Sequence, residues 1–245
     1  MEVSSDLKNA YSGQYSGSEA EWRMLGAKYK ALNIVELAKN LDAQKVCEVG
    51  CGEGSILQWL SNFHFAEKLY GIDISKSGIE RTSEKKIKNI AELRVFDGYT
   101  IPYPDKFFDL VVCSHVIEHV EHPRILLREI QRISKKQVFE VPIDFSFYVD
   151  RKAKHYLNYG HINIYTPGLF RFLLLSENFS IIKEKNYFYP PEIAKFMHKK
   201  RLVKRFTQSL KQFILKSIPY LRGVKPSSYA VLTEQNNSPI QIMQH

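Results

Sequence analysis

The chain has 245 residues and a mass of 28.5 kDa, enough for one sizeable domain with additions or at most two small ones. Its 44% hydrophobic and 25% charged residues exclude wholesale disorder, and three cysteines are too few for a disulfide framework. Of the formal +9 charge, residues 193–225 supply ten Lys and Arg against no acid, so the rest of the chain sums to −1.

Residues 1–17 read as a polar, flexible lead-in without the apolar core of a secretory signal. Ser18, with Glu21 three residues on, is a capping-box signature. Trp22, Leu25, Tyr29, Leu32, Val35 and Leu37 recur at helical spacing and predict a cap helix to about Leu41, completing an N-terminal portion over 1–43. From 44 to 235, strand-like apolar runs alternate with amphipathic stretches. Strands are predicted at 45–50, 68–72, 92–96, 110–114, 137–141, 180–186 and 228–233, with helices at 55–63, 77–89, 123–134 and 167–176. Such runs, separated by helices, predict an α/β fold with a mostly parallel sheet covered on both faces. Residues 193–226 read as a basic helical insertion and 236–245 as a flexible tail. No apolar run approaches the roughly 20 residues of a membrane span. Cys47, Cys51 and Cys113 lack paired zinc-ligand spacing and fit a reducing cytosol.

One stretch carries chemistry by itself: Glu48-Val49-Gly50-Cys51-Gly52-Glu53-Gly54-Ser55. A buried strand ends in a carboxylate, and three alternating glycines follow before a helix. Glycine admits positive φ and lets the main chain approach a ligand with no Cβ between. The helix N-terminus then offers N–H groups to an anion. Dinucleotide-binding loops use G-x-G-x-x-G; here the third glycine comes one residue sooner. An ordinary strand-to-helix turn is the plainer alternative.

This loop resembles the first motif of the class I S-adenosylmethionine-dependent methyltransferases, in particular their small-molecule, type 11/23-like branch. Four further segments match in order. Tyr70-Gly71-Ile72-Asp73-Ile74-Ser75 resembles the second strand and its terminal acid. Val95-Phe96-Asp97-Gly98 resembles the segment framing the adenine. Phe107 to Val120 is similar to the fourth-strand motif beneath the reacting centre, and His161-Ile162-Asn163-Ile164-Tyr165-Thr166-Pro167 to a segment after the fifth strand. The resemblance spans 18–186 and implies a Rossmann-like, doubly wound, seven-stranded fold that binds S-adenosylmethionine. It implies cofactor contacts at Glu48, Gly50, Cys51, Gly52, Gly54, Ile74, Gly98 and His115, with Asp73 on the ribose hydroxyls and Asp97 on the adenine amino group. Without that resemblance, Asp73 and Asp97 read equally as strand ends or caps, Asp109 as a cap at the fourth strand's entry, and Cys51 and Cys113 as packing.

A hydroxyl acceptor must lose its proton, which calls for a general base or a metal ion. His161 and His119 are the candidate catalytic groups, with His161 first as base or acceptor-orienting group; a structural histidine is the alternative. His115, Glu118, His119 and His122 form H-x-x-E-H-x-x-H. Some methyltransferases, including quinone-biosynthesis and small-RNA end enzymes, hold a metal on E-x-x-E-H here. His115 replaces the first Glu of that pattern, so His115, Glu118 and His119 are candidate ligands, but a metal is not expected.

The aromatic and basic stretch 145–160 is longer than a minimal connection and suits an acceptor pocket, with Arg151, Lys152, Lys154 and His155 fitting an anionic or phosphorylated acceptor. Tyr11 and Tyr15 could form a lid. Within 193–225, Leu202, Phe206, Leu210, Phe213 and Ile218 recur at helical steps among the cations. That pattern fits an accessory helix pair packing on the domain or on a second subunit of a homodimer, a peripheral membrane contact, or, third, nucleic acid. The expected activity is methyl transfer to a hydroxyl or amine of a small polar acceptor, such as a sugar or an activated surface-glycan precursor, in the cytoplasm or at the inner membrane face. RNA ribose methylation and a non-catalytic cofactor-binding partner are the alternatives.

Overall fold

The computed structural model describes residues 3, 20–145, 149–188, 190, 192–193 and 226–238. In chain order the elements are α1 (Ala20–Ala38), β1 (Lys45–Val49), α2 (Ser55–Asn62), β2 (Lys68–Asp73), α3 (Lys76–Glu84), β3 (Ile90–Val95), β4 (Phe108–Ser114), α4 (Pro123–Ile133), β5 (Ser134–Pro142), α5 (Ala153–Asn158), α6 (Pro167–Ser176), β6 (Phe179–Tyr187) and β7 (Ser228–Gln235). The strands form one sheet in the order β3-β2-β1-β4-β5-β7-β6, parallel except for the antiparallel pairings of β7 with β5 and β6. The order reverses between β1 and β4, so their carboxyl ends open onto the crevice where such sheets bind ligands.

Side-chain alternation sorts the core into two layers. Val46, Leu110, Val112 and Val138 pack on one face against Ala27, Ala31, Ile34, Leu57 and Leu60 of α1 and α2. Cys47, Val49, Val111, Cys113, Phe139 and Val141 pack on the other against Leu126, Leu127 and Ile130 of α4 and Phe170 and Leu174 of α6. Asp109 ties the entry of β4 to that of β1: one oxygen accepts from the main-chain N–H of Gln44 (3.1 Å) and Lys45 (2.9 Å), the other from Lys135 (2.8 Å). It caps, as its position suggests.

Most element ends fall within three residues of those read from the sequence, and one differs by more. The helix read over 77–89 ends at Glu84, because Lys86 turns into the left-handed region (φ 49°), and β3 starts at Ile90. The turn after β4 is a single 3-10 turn, Ile117–His119, and Val120 is extended, so Glu118 and His122 share no helix face. Ser18, Tyr11, Tyr15, residues 194–225 and 239–245 lie outside the described residues. The chain leaves the sheet after Tyr187 and re-enters at Ser228, and the Ser227 N–H donates to the Tyr187 carbonyl at 2.8 Å. Among the described residues, no helix is long and apolar enough to cross a membrane.

Candidate active site

The glycine loop bends where β1 ends. Gly50, Gly52 and Gly54 all have positive φ (76°, 53° and 72°). Two of them have no room for a side chain: a Cβ on Gly50 would lie 2.3 Å from a Val116 methyl, and one on Gly54 2.4 Å from the Thr82 methyl. The Gly50 and Cys51 N–H groups both donate to the Ile72 carbonyl at the end of β2 (2.8 and 3.1 Å). Asp73, 6% exposed, takes the Gly52 N–H on one oxygen (2.7 Å) and the Ser75 N–H on the other (2.8 Å). Burial raises its pKa against the pull of those main-chain donors. Outside the bend, Arg23 on α1 holds Glu53 at 2.9 Å, and Lys85 donates to Ser55 at 3.0 Å.

Beneath the loop, Glu48 is 2% exposed and one of its oxygens has no hydrogen-bond partner among the described residues. Burial pushes its carboxyl well above the usual range, only partly offset by Lys30. Asp97 accepts from the Tyr99 and Thr100 N–H groups through one oxygen (2.8 and 2.6 Å), so it caps a turn. Gly98 is buried with φ 101°, its vacant Cβ position facing Ile74 at 3.4 Å and Val3. Main-chain curvature, a buried carboxylate with one unpartnered oxygen among the described residues and two anchored aspartates fit a cationic nucleoside bearing an amino group.

The other side of the crevice is made by side chains from distant segments. His115 follows β4 in the left-handed region (φ 57°), a strained position for a non-glycine residue. Its ring lies between two buried carboxylates, with Nδ1 3.5 Å from Glu118 and Nε2 3.9 Å from Glu140. Burial and the nearby cations drive its pKa well down, keeping the ring neutral. Next, the segment after α5 pairs with the 117–120 turn. The Ile162 and Asn163 N–H groups donate to the Glu118 carbonyl (3.0 and 2.9 Å), and the Asn163 side chain to the Val120 carbonyl (2.8 Å). These bonds bring His119 and His161 together, rings 4.8 Å apart.

The two rings have different partners. His119 Nδ1 bonds the Gly160 carbonyl at 2.9 Å, and burial lowers its pKa to about 4. His161 Nδ1 meets Asp144 at 2.6 Å. Burial alone would lower the His161 pKa, but the Asp144 hydrogen bond and charge outweigh it and raise it. Glu118, 1% exposed, has no hydrogen-bond partner on either oxygen among the described residues, and burial pushes its pKa to about 7.

Among the described residues, Glu118, His119 and His161 bring possible metal-ligand atoms within 4.8 Å of one another. His115, a candidate ligand by its sequence spacing, falls outside this group, and His161 stands in it. Carboxylate plus imidazole suits a divalent transition metal, and each ring is oriented by an oxygen on its other nitrogen, as ligating histidines usually are. The residues therefore fit a cation.

Asp144 was not legible as a partner of His161, since only the intervening turns bring them together. Lys30 and Asn33, one turn apart on α1, were missed too. Asn33 donates to Glu140 at 2.9 Å beside Ser228 at 2.6 Å. Lys30 is half-buried, and burial lowers its pKa against the attraction of Glu140, Glu118 and Glu48. Helical spacing marks both positions only as part of a helix; a lysine flanked by core positions Ala27 and Ala31 was the available signal.

The sheet order and the bend define a Rossmann-like α/β fold, and comparison with known proteins narrows it. Residues 47–139 match the family described as the methyltransferase domain. The chain is 29% identical over 135 residues to YrhH of Bacillus subtilis, named as a methyltransferase, covering 52% of this chain and 71% of that protein. A demethylmenaquinone methyltransferase of Thermotoga maritima is 23% identical over 70% of this chain and 82% of its own length. The solved structure of an S-adenosylmethionine-dependent methyltransferase from Archaeoglobus fulgidus shares the fold, with TM-score 0.60 at 21% identity, covering 92% of this chain and 98% of that one. Residues 47–139 thus resemble a methyltransferase domain, the relatives that match are named methyltransferases, and the fold is the one that S-adenosylmethionine-dependent methyltransferases share.

Proposed function

We propose that this methyltransferase acts on a hydroxyl of a small polar acceptor, with a sugar or sugar-bearing precursor as the leading case. The hydrogen bond of 2.6 Å between His161 and Asp144 carries the reading. A carboxylate on Nδ1 fixes the ring and its tautomer, leaving Nε2 to take the acceptor proton, and it stabilises the imidazolium that results. An amine acceptor would need no such pair. His119, pinned to the Gly160 carbonyl, orients the acceptor beside it.

S-adenosylmethionine, when bound, supplies a methyl group already activated on a sulfonium, so the residues around it chiefly hold, align and desolvate. In this reading Asp73 and Gly52 hold the ribose hydroxyls, and Asp97, Gly98 and Ile74 frame the adenine. Glu48, Gly50, Cys51 and Gly54 shape the amino-acid end, and His115 walls off the reacting centre. Release of S-adenosylhomocysteine across a panel of sugar, phenolic and amine acceptors tests the proposal. Hydroxyl acceptors should turn over and His161→Ala should abolish that turnover; amine-only turnover, or a fully active His161→Ala, would overturn it.

The buried Glu118 carboxylate, with no hydrogen-bond partner among the described residues, favours one second reading, in which Glu118, His119 and His161 would hold a divalent cation that would acidify the acceptor hydroxyl and let its proton pass to solvent. Manganese paramagnetic resonance on the chelated protein separates the two. A bound-ion spectrum lost in Glu118→Gln, with turnover lost to chelator, favours the cation; no bound ion and chelator-resistant turnover leave the proton to His161.

A further inference from the structure

Among the described residues, the exposed large apolar side chains are concentrated in the segment that runs up to His161 and just past it. Of the nine that are exposed among the described residues, Phe145, Leu157, Tyr159, Ile162, Leu169 and Phe172 fall within 145–172, with Leu157 at 60% and Tyr159 at 61% exposure. Cations share the stretch: Arg151, Lys152 and Lys154 are exposed beside His155, against the single acid Asp150, a local charge of +2. Across α5 only Tyr156 is buried, its hydroxyl donating to the Asp144 carbonyl at 2.5 Å. Rings run from this surface to the site: Tyr159 lies 5.1 Å from His155 and 6.2 Å from His161, which meets His119.

We propose that the flap over 149–162 is a docking face for an anionic bilayer surface, which brings the mouth of the acceptor side against the headgroups. Leucine, isoleucine and tyrosine bury into the boundary between headgroup and acyl chain, while lysine stems lie along it and their ammonium groups meet lipid phosphates. An RNA partner would use the cations and leave Leu157 and Ile162 in water. A protein interface core would be depleted in lysine. The observed mixture of exposed aliphatic, aromatic and cationic side chains is the composition of a membrane-surface element. Docking does not depend on which acceptor is methylated; only its nearness to His161 rests on the reading above.

Sedimentation of the full chain with phosphatidylglycerol-containing vesicles, against pure phosphatidylcholine vesicles, tests this. The wild type should bind the anionic vesicles, less so as salt rises. Lys152→Glu with Lys154→Glu should weaken binding by at least roughly tenfold, and Leu157→Asp should weaken it at every salt concentration. Lys86→Glu with Lys88→Glu, at the opposite ends of the strands, should bind as the wild type does. Calorimetric cofactor affinity confirms that each variant is folded, and turnover of a water-soluble acceptor reads the catalytic proposal separately. Three results would overturn docking at this face: a wild type that ignores anionic vesicles, flap variants that bind them undiminished, or a dimer by light scattering that Leu157→Asp dissociates.

Discussion

The two sides of the crevice are made of different material. On the cofactor side, from Gly50 to Gly54 and at Asp73, groups are placed by main chain: positive-φ glycines, N–H donors and strand ends locked into the sheet. On the acceptor side they are placed by side chains from segments far apart in sequence, at His115, Glu118, His119, Asp144 and His161. Buried among them is the Glu118 carboxylate, which has no hydrogen-bond partner among the described residues. A side built of backbone fixes one ligand and tolerates little change. A side built of loop side chains can be altered one residue at a time, and it stores polar groups that only a substrate or ion can satisfy.

The contrast can be broken experimentally. The largest effect is expected at His161→Ala: turnover should fall by roughly 10²–10⁴-fold while calorimetric cofactor affinity stays unchanged. Weakening of both together would erase the division between the sides. Asp73→Ala should do the converse, lowering cofactor affinity by roughly ten- to a hundredfold through lost hydrogen bonds to a charged group. An unchanged affinity removes Asp73 from the ribose.

Glu118→Gln asks whether the acceptor side sacrifices stability. The folded carboxyl keeps its proton to about pH 7, whereas the unfolded one releases it near 4.5, so the wild type loses stability as pH rises between those values. The variant lacks that loss and should be more stable at pH 8 by on the order of 1–3 kcal/mol, with little difference at pH 4. Urea midpoints that track the wild type at both pH values would contradict the buried-charge account.

A displacement rather than a loss is expected for Asp144→Asn. The base must be neutral to act, and Asp144 favours its protonated form, so the acidic limb of kcat/KM should move to lower pH in the variant. A limb that stays in place excludes His161 as the titrating base. The smallest effect is expected away from both sides, at Asp109→Asn: about 1 kcal/mol of stability, by thermal melting, with kcat untouched.

Legibility in the sequence follows the same division. A period of two in the strands, three glycines within five residues and acids at strand ends are local signals, and they locate the sheet, the bend, Asp73 and Asp109. The helix ending at Glu84 was overrun because Lys86 turns the chain without the glycine that usually marks such a stop, while Ile87 continues the apolar rhythm. His115 gave no sign of its left-handed backbone for the same reason. Asp144 meets His161 only after α5 and two turns intervene. Glu140, a strand residue by pattern, becomes a polar hub only when α1 sets Asn33 above it. Long-range pairing of side chains has no period to read.

The hydrogen bond between Ser227 and Tyr187 means that residues 188–226 depart from and come back to a single point on the sheet edge. With the two ends held together by that bond and by the register of β6 on β7, a change in the length of the intervening chain need not shift the pairing of the strands.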